Sequence, residues 1–464
     1  MYKVLIRPLT IEDASTSYHW RNDSEVWKYT GNRPNIQITE EIERNWIVDK
    51  LNETNSKRFA IEVEDVYVGN IQLTSITKSE AEFHIFIGNK EYWGKGVANS
   101  AIQQILRYAD YVLKLDKVYL KVNPEHEKAL KLYERCGFIK VDDSIAMEIN
   151  LKQRNKPMIS IFSMVYNHAV FLEKCLDSFL MQKCLFDYEI VIGEDFSKDN
   201  SREILLRFQN KYPGKFKLLL HNKNIGAVNN QNLTLKECNG KYIALCEGDD
   251  YWTDPYKLQK QVDFLEANSY LSGVATGYQS INKDGTLIAI HSYPENKPIV
   301  ISTLELIQKN GLATCTAMIR KDFAKSQKDY DFINGQTLGD LSLWLLSSLN
   351  GPIYLMPDIT AAYRANVGVS SSFNLVKHAH ISMKVREDFI AQYPVGFRVK
   401  LAYWANKFYY LNQAALKYAN NNNKMMAVYY LLKSLLHYPL SFTIKQRLQA
   451  NNLSQYFNTL KAIL

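Results

Sequence analysis

The sequence predicts an α/β protein in three parts: a mixed-sheet domain over residues 1–152, a mostly parallel-sheet domain over 157–375, and an α-helical C-terminal region over 376–464. Three observations carry this expectation. The 464 residues exceed what one core usually organises, at roughly 100–200 residues per domain. The polar, basic stretch Lys152-Gln153-Arg154-Asn155-Lys156-Pro157 ends in proline and reads as a boundary, with a strand-like run from Met158 to Val165 directly after it. Beyond that boundary strands and helices alternate, which implies a parallel sheet covered on both faces.

Before the boundary, Phe59–Val63 and Tyr67–Thr74 flank a turn and read as a hairpin, and Ala81–Ile87 alternates as a further strand. Ala98–Leu113 reads as a helix, Lys117–Val122 as a strand and Glu125–Cys136 as a helix. After it, strands at Ile159–Val165, Tyr188–Ile192 and Lys217–Leu220 alternate with helices at Ala169–Met181 and Ser201–Tyr212. A fourth strand, Tyr242–Cys246, runs straight into acidic residues. Sheets of this kind bind ligands at the carboxyl ends of their strands. The tail from about Phe397 reads as two or three helices with a break at Asn420–Asn423. Packing on the preceding domain is the expectation for them. A peripheral membrane contact is the sharper alternative, because Lys, Tyr and Leu mix there as in interfacial helices.

Apolar content of 46% and charged content of 22% exclude wholesale disorder. The net charge of +8 suits anionic cofactors or an acidic membrane surface, and without clustered Lys/Arg no nucleic-acid partner is expected. The 30 tyrosines suit carbohydrate stacking as well as ordinary packing. Cys136, Cys175, Cys184, Cys238, Cys246 and Cys315 form no CxxC pair, so reduced thiols in a cytoplasmic protein are expected, with the inner face of the membrane as an alternative location. The opening segment turns acidic at Glu12 and Asp13, and no signal peptide or spanning helix is expected.

Two segments carry the first chemistry. In Tyr92-Trp93-Gly94-Lys95-Gly96-Val97-Ala98, two glycines between a strand and a helix allow a tight turn whose N–H groups converge, and the helix N-terminus adds partial positive charge. Further on come Asn123, Ala129, Leu132-Tyr133-Glu134 and Gly137-Phe138. With both motifs in this order, residues 1–150 resemble the GNAT acetyltransferase superfamily. The resemblance implies that Ile87 and Gly94, Lys95, Gly96, Val97 and Ala98 hold acetyl-CoA, its pyrophosphate above all, with Asn123 near the pantetheine. It implies that Tyr133 is the general acid that protonates the departing thiolate, a task suited to a phenol that is neutral at pH 7. Glu82 and His84 share one strand face and are the candidate bases, with a base acting through water as the alternative. Leu9, Asp13, Trp20-Arg21-Asn22, Ile38 and Trp46 resemble the GNAT subgroup that acetylates amino sugars on nucleotides, which also resembles ribosomal-protein N-terminal acetyltransferases. Trp20 and Arg21 would then line the amino sugar or its phosphates, a core role being the alternative for Trp20.

The second chemistry gathers where Ala244-Leu245-Cys246 ends in Glu247-Gly248-Asp249-Asp250. Carboxylates are hard ligands for Mg²⁺ or Mn²⁺, and such an ion can bridge a diphosphate. An acidic turn that only caps the next helix is the plainer reading. Upstream stand Val165-Tyr166-Asn167, Glu194-Asp195-Phe196-Ser197 and Asn224-Ile225-Gly226. With these, residues 157–372 resemble family 2 glycosyltransferases of the GT-A fold, a Rossmann-like architecture. The resemblance implies inverting transfer from a UDP- or dTDP-linked sugar to a glycan or lipid-linked acceptor. It assigns Val165, Tyr166, Asp195, Glu247 and Asp249 to the nucleotide sugar, Asp249 and Asp250 to the metal, and Asp340 to the base. An N-cap role for the helix Leu341–Leu349 is the alternative for Asp340. The family often has histidine where Asn366 stands, and Arg364 is the candidate to compensate in gripping the diphosphate.

Together these readings describe a bifunctional enzyme of surface-polysaccharide assembly that N-acetylates an amino sugar and transfers it. Acetylation after transfer, a protein N-terminal acetyltransferase domain, and one domain serving only as a binding module are the alternatives. The sequence leaves the oligomeric state open.

Overall fold

The computed structural model describes residues 2–29, 35–141, 145–151, 156–309, 311–367, 375–421 and 423–435. The expected boundary at Lys152–Asn155, the segment Gly368–Ser370 and the tail beyond residue 435 lie outside the described residues. The chain forms two compact units, the first comprising Met1–Asn224, Glu237–Lys241 and Pro255–Gln259, the second comprising the rest.

The first unit opens with β1 (Val4–Pro8), α1 (Ala14–Asn22) and α2 (Glu40–Leu51). The hairpin β2 (Lys57–Val63) and β3 (Val66–Thr74) follows, then β4 (Glu80–Ile87), α3 (Val97–Tyr111), β5 (Lys117–Lys121), α4 (Glu127–Arg135), β6 (Ile139–Lys140) and β7 (Ala146–Asn150). The strands form one sheet in the order β1-β2-β3-β4-β5-β7-β6, antiparallel except for β4 and β5. Those two pair only where Glu80–Glu82 meets Lys117–Tyr119, although β4 runs on to Ile87. Past Glu82 the strands part and leave a cleft in the sheet. The core between sheet and α3 is aliphatic and aromatic, with Ile61, Ile71, Leu73, Phe83, Ile102, Ile105 and Leu106 among its buried members.

The same unit continues into β8 (Ile159–Val165), α5 (Ala169–Leu180), β9 (Tyr188–Glu194), α6 (Ser201–Lys211) and β10 (Phe216–Leu220). As expected, these strands are parallel. Ile159, Ile161, Ile190 and Ile192 are fully buried, the unbroken apolar pattern of a strand covered on both faces.

A buried polar seam joins α3 to this layer. Arg107, fully buried, donates from Nε to the Gly214 carbonyl at 2.6 Å and pairs with Asp187. Gly214 has φ +73°, and a Cβ there would stand 1.7 Å from the Gln104 carbonyl oxygen, so only glycine admits α3 this close. Tyr111 donates its hydroxyl to Glu189. Glu189 also accepts from Ser160 Oγ at 2.6 Å and the Asn239 N–H at 2.7 Å. The charged heads of Arg107 and Glu189 thus each have a partner, as burial of a charge requires, although Arg107 Nη2 meets no acceptor.

The second unit holds α7 (Ala227–Glu237, its last residue belonging to the first unit), β11 (Tyr242–Leu245), β12 (Tyr251–Trp252) and α8 (Lys257–Ala267, its first turn likewise). Then come β13 (Gly273–Ile281), β14 (Leu287–His291), β15 (Ile299–Ile301), α9 (Thr303–Gln308), β16 (Met318–Arg320), α10 (Gln327–Asn334), α11 (Gly339–Ser348) and β17 (Ile353–Arg364). Within this unit the order is β11-β16-β13-β17-β12, with β14 on β13 and β15 on β17. Here the sheet is mixed: β13 and β17 run parallel, while β16 is antiparallel to both β11 and β13.

Three helices close the described chain: α12 (Leu375–Gln392), α13 (Phe397–Asn420) and α14 (Lys424–Leu435). Their packing on the preceding domain is as expected. Asn406 donates to the Ile307 and Gln308 carbonyls at 2.7 and 2.9 Å, satisfying the open C-terminus of α9. Buried Arg386 donates to the Leu306 carbonyl at 3.0 Å. Among the described residues no helix is long and apolar enough to cross a membrane, and none of the six cysteines forms a disulfide.

Candidate functional sites

The first site lies at the parted strands. β4 ends at Ile87, whose carbonyl accepts the Trp93 indole N–H at 2.8 Å and so pins the loop that follows. Gly94 and Gly96 have φ +73° and +80°, and a Cβ at either would meet nothing within 4 Å. The requirement is therefore conformational, and it leaves an open concavity beside the start of α3. Gly96 is the N-cap in the left-handed region, so the N–H groups of Val97, Ala98 and Asn99 have no partner in the helix. Anions bind in such a place. Lys95 stands beside it, its Nζ 5.7 Å from the Tyr92 ring centre.

Tyr133 projects from α4 onto Phe83 of β4, edge to face with centroids 6.1 Å apart. Burial pushes its phenol up to about 12, so it holds its proton at neutral pH. Asn123 is exposed and its Oδ1 accepts the Glu125 N–H at 2.9 Å, closing the turn into α4. Glu82 and His84 come together at 3.9 Å, and His84 Nε2 also meets Thr74 Oγ1 at 3.0 Å. Partial desolvation lowers the His84 pKa against the opposing pull of Glu82, which keeps the imidazole neutral at pH 7. Alternation along β4 sets both residues on the face opposite Phe83, and therefore opposite Tyr133. The structure brings the two candidate bases together but not onto the face of the acid.

Trp20 is buried and packs on Tyr67 at 4.7 Å and on Phe86 at 6.2 Å. Its ring fills the space that a Cβ at Gly88 would need. Its placement is that of a core residue. Arg21 lies over Trp27 and Trp46, at 5.0 and 4.8 Å from the ring centres. Its Nε faces the buried Glu43 Oε2 at 3.6 Å, and both atoms lack a hydrogen-bond partner. Burial raises the Glu43 pKa, against the opposing charge of Arg21 and the hydrogen bond from Ser17.

In the first unit, Val165 and Asp195 meet at the carboxyl ends of β8 and β9, the Asp195 N–H donating to the Val165 carbonyl at 3.0 Å. Both are buried, while Tyr166 beside them is half-buried. Asn224 closes the same edge by donating to the Asp195 carbonyl at 3.2 Å.

In the second unit, β11 ends into Glu247-Gly248-Asp249-Asp250, where the Asp250 N–H donates back to the Glu247 carbonyl at 3.1 Å. Asp249 and Asp250 are 7% and 4% exposed. Burial first, and then Asp249, Asp250 and Asp340, push the Glu247 carboxyl well above the usual carboxylate range. Burial and then Asp249 raise Asp250 likewise, against an N–H from Arg364. Glu247 therefore lies within the field of the other three acids. Asp340 sits in the first turn of α11, whose N-cap is Leu338. It is not the cap, and the helix dipole favours a carboxylate there. Arg364 is buried at the end of β17. Its N–H donates to Asp250 Oδ1 at 2.7 Å, Nε to the Asp249 carbonyl at 2.9 Å, and Nη1 to the Asn282 and Lys283 carbonyls at 3.1 and 2.9 Å. Its placement is that of a brace for the acidic loop. Asn366 is exposed, in the left-handed region at φ 60°.

Among the described residues no group of three or more His, Cys, Asp or Glu side chains is arranged to hold a metal unaided. Mg²⁺ and Mn²⁺ commonly bind through one or two carboxylates plus substrate phosphates. The mutually repelling oxygens of Asp249 and Asp250 fit that mode and not an all-protein cage.

The comparisons with known proteins divide the chain at the same place as its chemistry. The family model described as an acetyltransferase (GNAT) domain matches residues 3–139, and that of glycosyl transferase family 2 matches residues 160–326. An uncharacterised protein of Mycobacterium tuberculosis is 32% identical over 211 residues, 44% of this chain, and the chain spans 58% of its length. Spermidine N(1)-acetyltransferase of Escherichia coli strain K12 is 32% identical over 36% of this chain and 89% of that protein. The Bacillus subtilis protein named "Putative teichuronic acid biosynthesis glycosyltransferase TuaG" is 30% identical over 47% of this chain and 83% of that protein. A crystal structure of spermidine N-acetyltransferase from Vibrio cholerae with CoA and spermine is 25% identical, with TM-score 0.30, over 32% of this chain and 97% of that one. The chain is thus a member of two transferase families, with a GNAT acetyltransferase domain followed by a family 2 glycosyltransferase domain.

Proposed function

We propose that the chain N-acetylates a UDP- or dTDP-linked amino sugar and transfers a sugar from a nucleotide donor, with inversion, to a glycan or lipid-linked acceptor of a surface polysaccharide. The observation that carries this reading is the presence in one chain of a buried, protonated phenol on α4, a glycine turn at the start of α3, and a braced cluster of carboxylates after β11. In the first reaction the N–H groups of Gly94–Ala98 hold the acetyl-CoA pyrophosphate, with Ile87 and Asn123 along the cofactor. His84 or Glu82 takes the amine proton and Tyr133 protonates the leaving thiolate. Glu82 and His84 lie on the face of β4 opposite Phe83 and Tyr133, which supports a base that reaches the amine through water. In the second reaction Val165, Tyr166, Asp195 and Glu247 hold the nucleotide sugar. Asp249 and Asp250 would hold Mn²⁺ or Mg²⁺, which supplies charge neutralisation to a leaving diphosphate. Asp340 takes the acceptor hydroxyl proton.

Arg21 between two indoles supports a substrate that carries phosphate. The kinship with the E. coli spermidine acetyltransferase supports a second reading, acetylation of a polyamine, and Glu40 and Glu41 in the first turn of α2 are acids that could draw a polycation. The test is acetyl transfer to UDP- and dTDP-amino sugars, spermidine and ribosomal-protein N-terminal peptides, read by mass spectrometry. Acetylation confined to spermidine or to peptides overturns the amino-sugar reading. Exposed Met425, Val428, Tyr429 and Leu432 on α14, with Lys433, support a peripheral membrane contact. Failure to sediment with anionic vesicles would remove it.

A further inference from the structure

Beside the acidic loop the sheet carries aromatic rings that none of the chemistry above uses. In the β13–β14 ladder Tyr278 stands directly opposite His291, and their rings stack at 4.4 Å and 16°. In the β13–β17 ladder Tyr278 stands opposite Ala361 and Ser280 opposite Tyr363. Alternation therefore puts Tyr278 and Tyr363 on one face, where their rings meet edge to face at 6.0 Å and 77°. His291 and Tyr363 are exposed and Tyr278 is half-buried. These rings do not make a core: Tyr278 is stacked on one side by His291 and met at its edge by Tyr363, and the outer rings of this aromatic shelf are open to solvent.

The shelf adjoins the carboxylates. The residue after Tyr363 is Arg364, whose N–H holds Asp250 at 2.7 Å and whose guanidinium holds the Asp249 carbonyl and the Asn282–Lys283 turn between β13 and β14. One residue, through its backbone N–H and its guanidinium, thus fixes the acidic loop, the end of β17 and the β13–β14 hairpin. Burial first, and then the field of Asp250, Glu247 and Asp249, pushes the Tyr363 phenol up to about 12. A pyranose presents one face of C–H bonds and a rim of hydroxyls. A ring that is apolar on its face and polar at its tip matches both.

We propose that Tyr278, His291 and Tyr363 form the subsite for a pyranose ring of the acceptor, stacked on the aromatic shelf with its hydroxyl rim toward the acidic loop. This rests on the glycosyltransferase reading and goes beyond it by naming the acceptor as a saccharide gripped by stacking. A bare lipid chain needs apolar contact without polar tips, and a lipid-linked sugar would use the shelf only through its sugar.

The test is saturation-transfer difference NMR on the full chain with methyl glycosides of gluco, galacto and N-acetylgluco configuration, read with and without UDP and Mn²⁺. The expected result is transfer to ring C–H protons of at least one glycoside, weakened about tenfold in affinity by His291→Ala and by Tyr278→Ala. Tyr278→Phe should retain the signal, as should the control Tyr270→Ala at an exposed tyrosine elsewhere. No signal from any glycoside, or one unchanged in both alanine variants, overturns the subsite. UDP–Mn²⁺ binding by calorimetry is scored separately. If it persists while glycoside binding is absent, the subsite alone fails. If it too is absent, the transferase reading fails with it.

Discussion

Replacing Arg107 with methionine tests whether the acetyltransferase helix is a structural part of the layer that follows it. Methionine keeps most of the packed volume and removes the charge. The change strips the Gly214 carbonyl of its 2.6 Å donor and leaves Asp187 without its guanidinium. Breaking one side of a buried ion pair costs about 3–5 kcal/mol. Asp187 keeps 20% side-chain exposure and recovers some solvation, so the lower end, about 3 kcal/mol, is the expectation. Urea unfolding of the full chain at pH 7 measures it, followed by circular dichroism. A cycle with Asp187→Asn isolates the pair, and neighbours in one network couple by about 0.5–3 kcal/mol. A loss below about 1 kcal/mol together with no measurable coupling would refute the argument that burial makes this pair matter.

Three further outcomes are expected. Tyr133→Phe should lower acetyl-transfer kcat by about 10²–10⁴ with acetyl-CoA affinity unchanged by calorimetry; an unchanged kcat would remove the phenol from the proton path. Asp340→Asn should lower sugar transfer over the same range of about 10²–10⁴ while UDP–Mn²⁺ binding persists; loss of binding instead would make Asp340 part of the nucleotide site. Lys215 is 3% exposed, and burial, with Arg107 adding to it, pushes its ammonium down to about 8. Between about pH 8 and 10.4 the unfolded chain keeps a proton that the folded chain has lost, so this lysine makes stability rise with pH across that window and costs on the order of 3 kcal/mol below it. Lys215→Met should stabilise the protein at pH 7 and flatten that rise; a melting-temperature profile as steep as the parent's would refute it.

Much of the fold was legible because its elements are local. The hairpin at 57–74, the helices at 97–111 and 201–211 and the parallel strands at 159–165 and 188–194 announce themselves by periodicity and flanking turns. The site loops were legible for the same reason, since Gly94–Ala98 and Glu247–Asp250 are each one short stretch. β13, β14 and β17 escaped because their partners lie far off in sequence. Tyr278 and Tyr363 meet only through a ladder register, so the aromatic shelf has no contiguous motif. The seam was hidden too, although it left a trace. α3 buries Gln103, Gln104 and Arg107 along with its apolar stripe, and a helix with buried polar residues on a further face has a second neighbour to satisfy. The sequence suggested that Arg364 compensates at the diphosphate, whereas its geometry directs the guanidinium to backbone carbonyls. Only coordinates separate a brace from a grip.

Trp252 is buried two residues beyond Asp250, its indole N–H held by the Cys315 carbonyl at 2.8 Å and its backbone laddered to Ala361 of β17. A shielded indole emits at short wavelength, and its emission moves when the dipoles around it move. The acidic loop thus has its own optical gauge. Among the chain's seven tryptophans, subtraction of a Trp252→Phe spectrum would isolate it, so that a rearrangement of the acidic loop can be followed in a stopped-flow cell without any label.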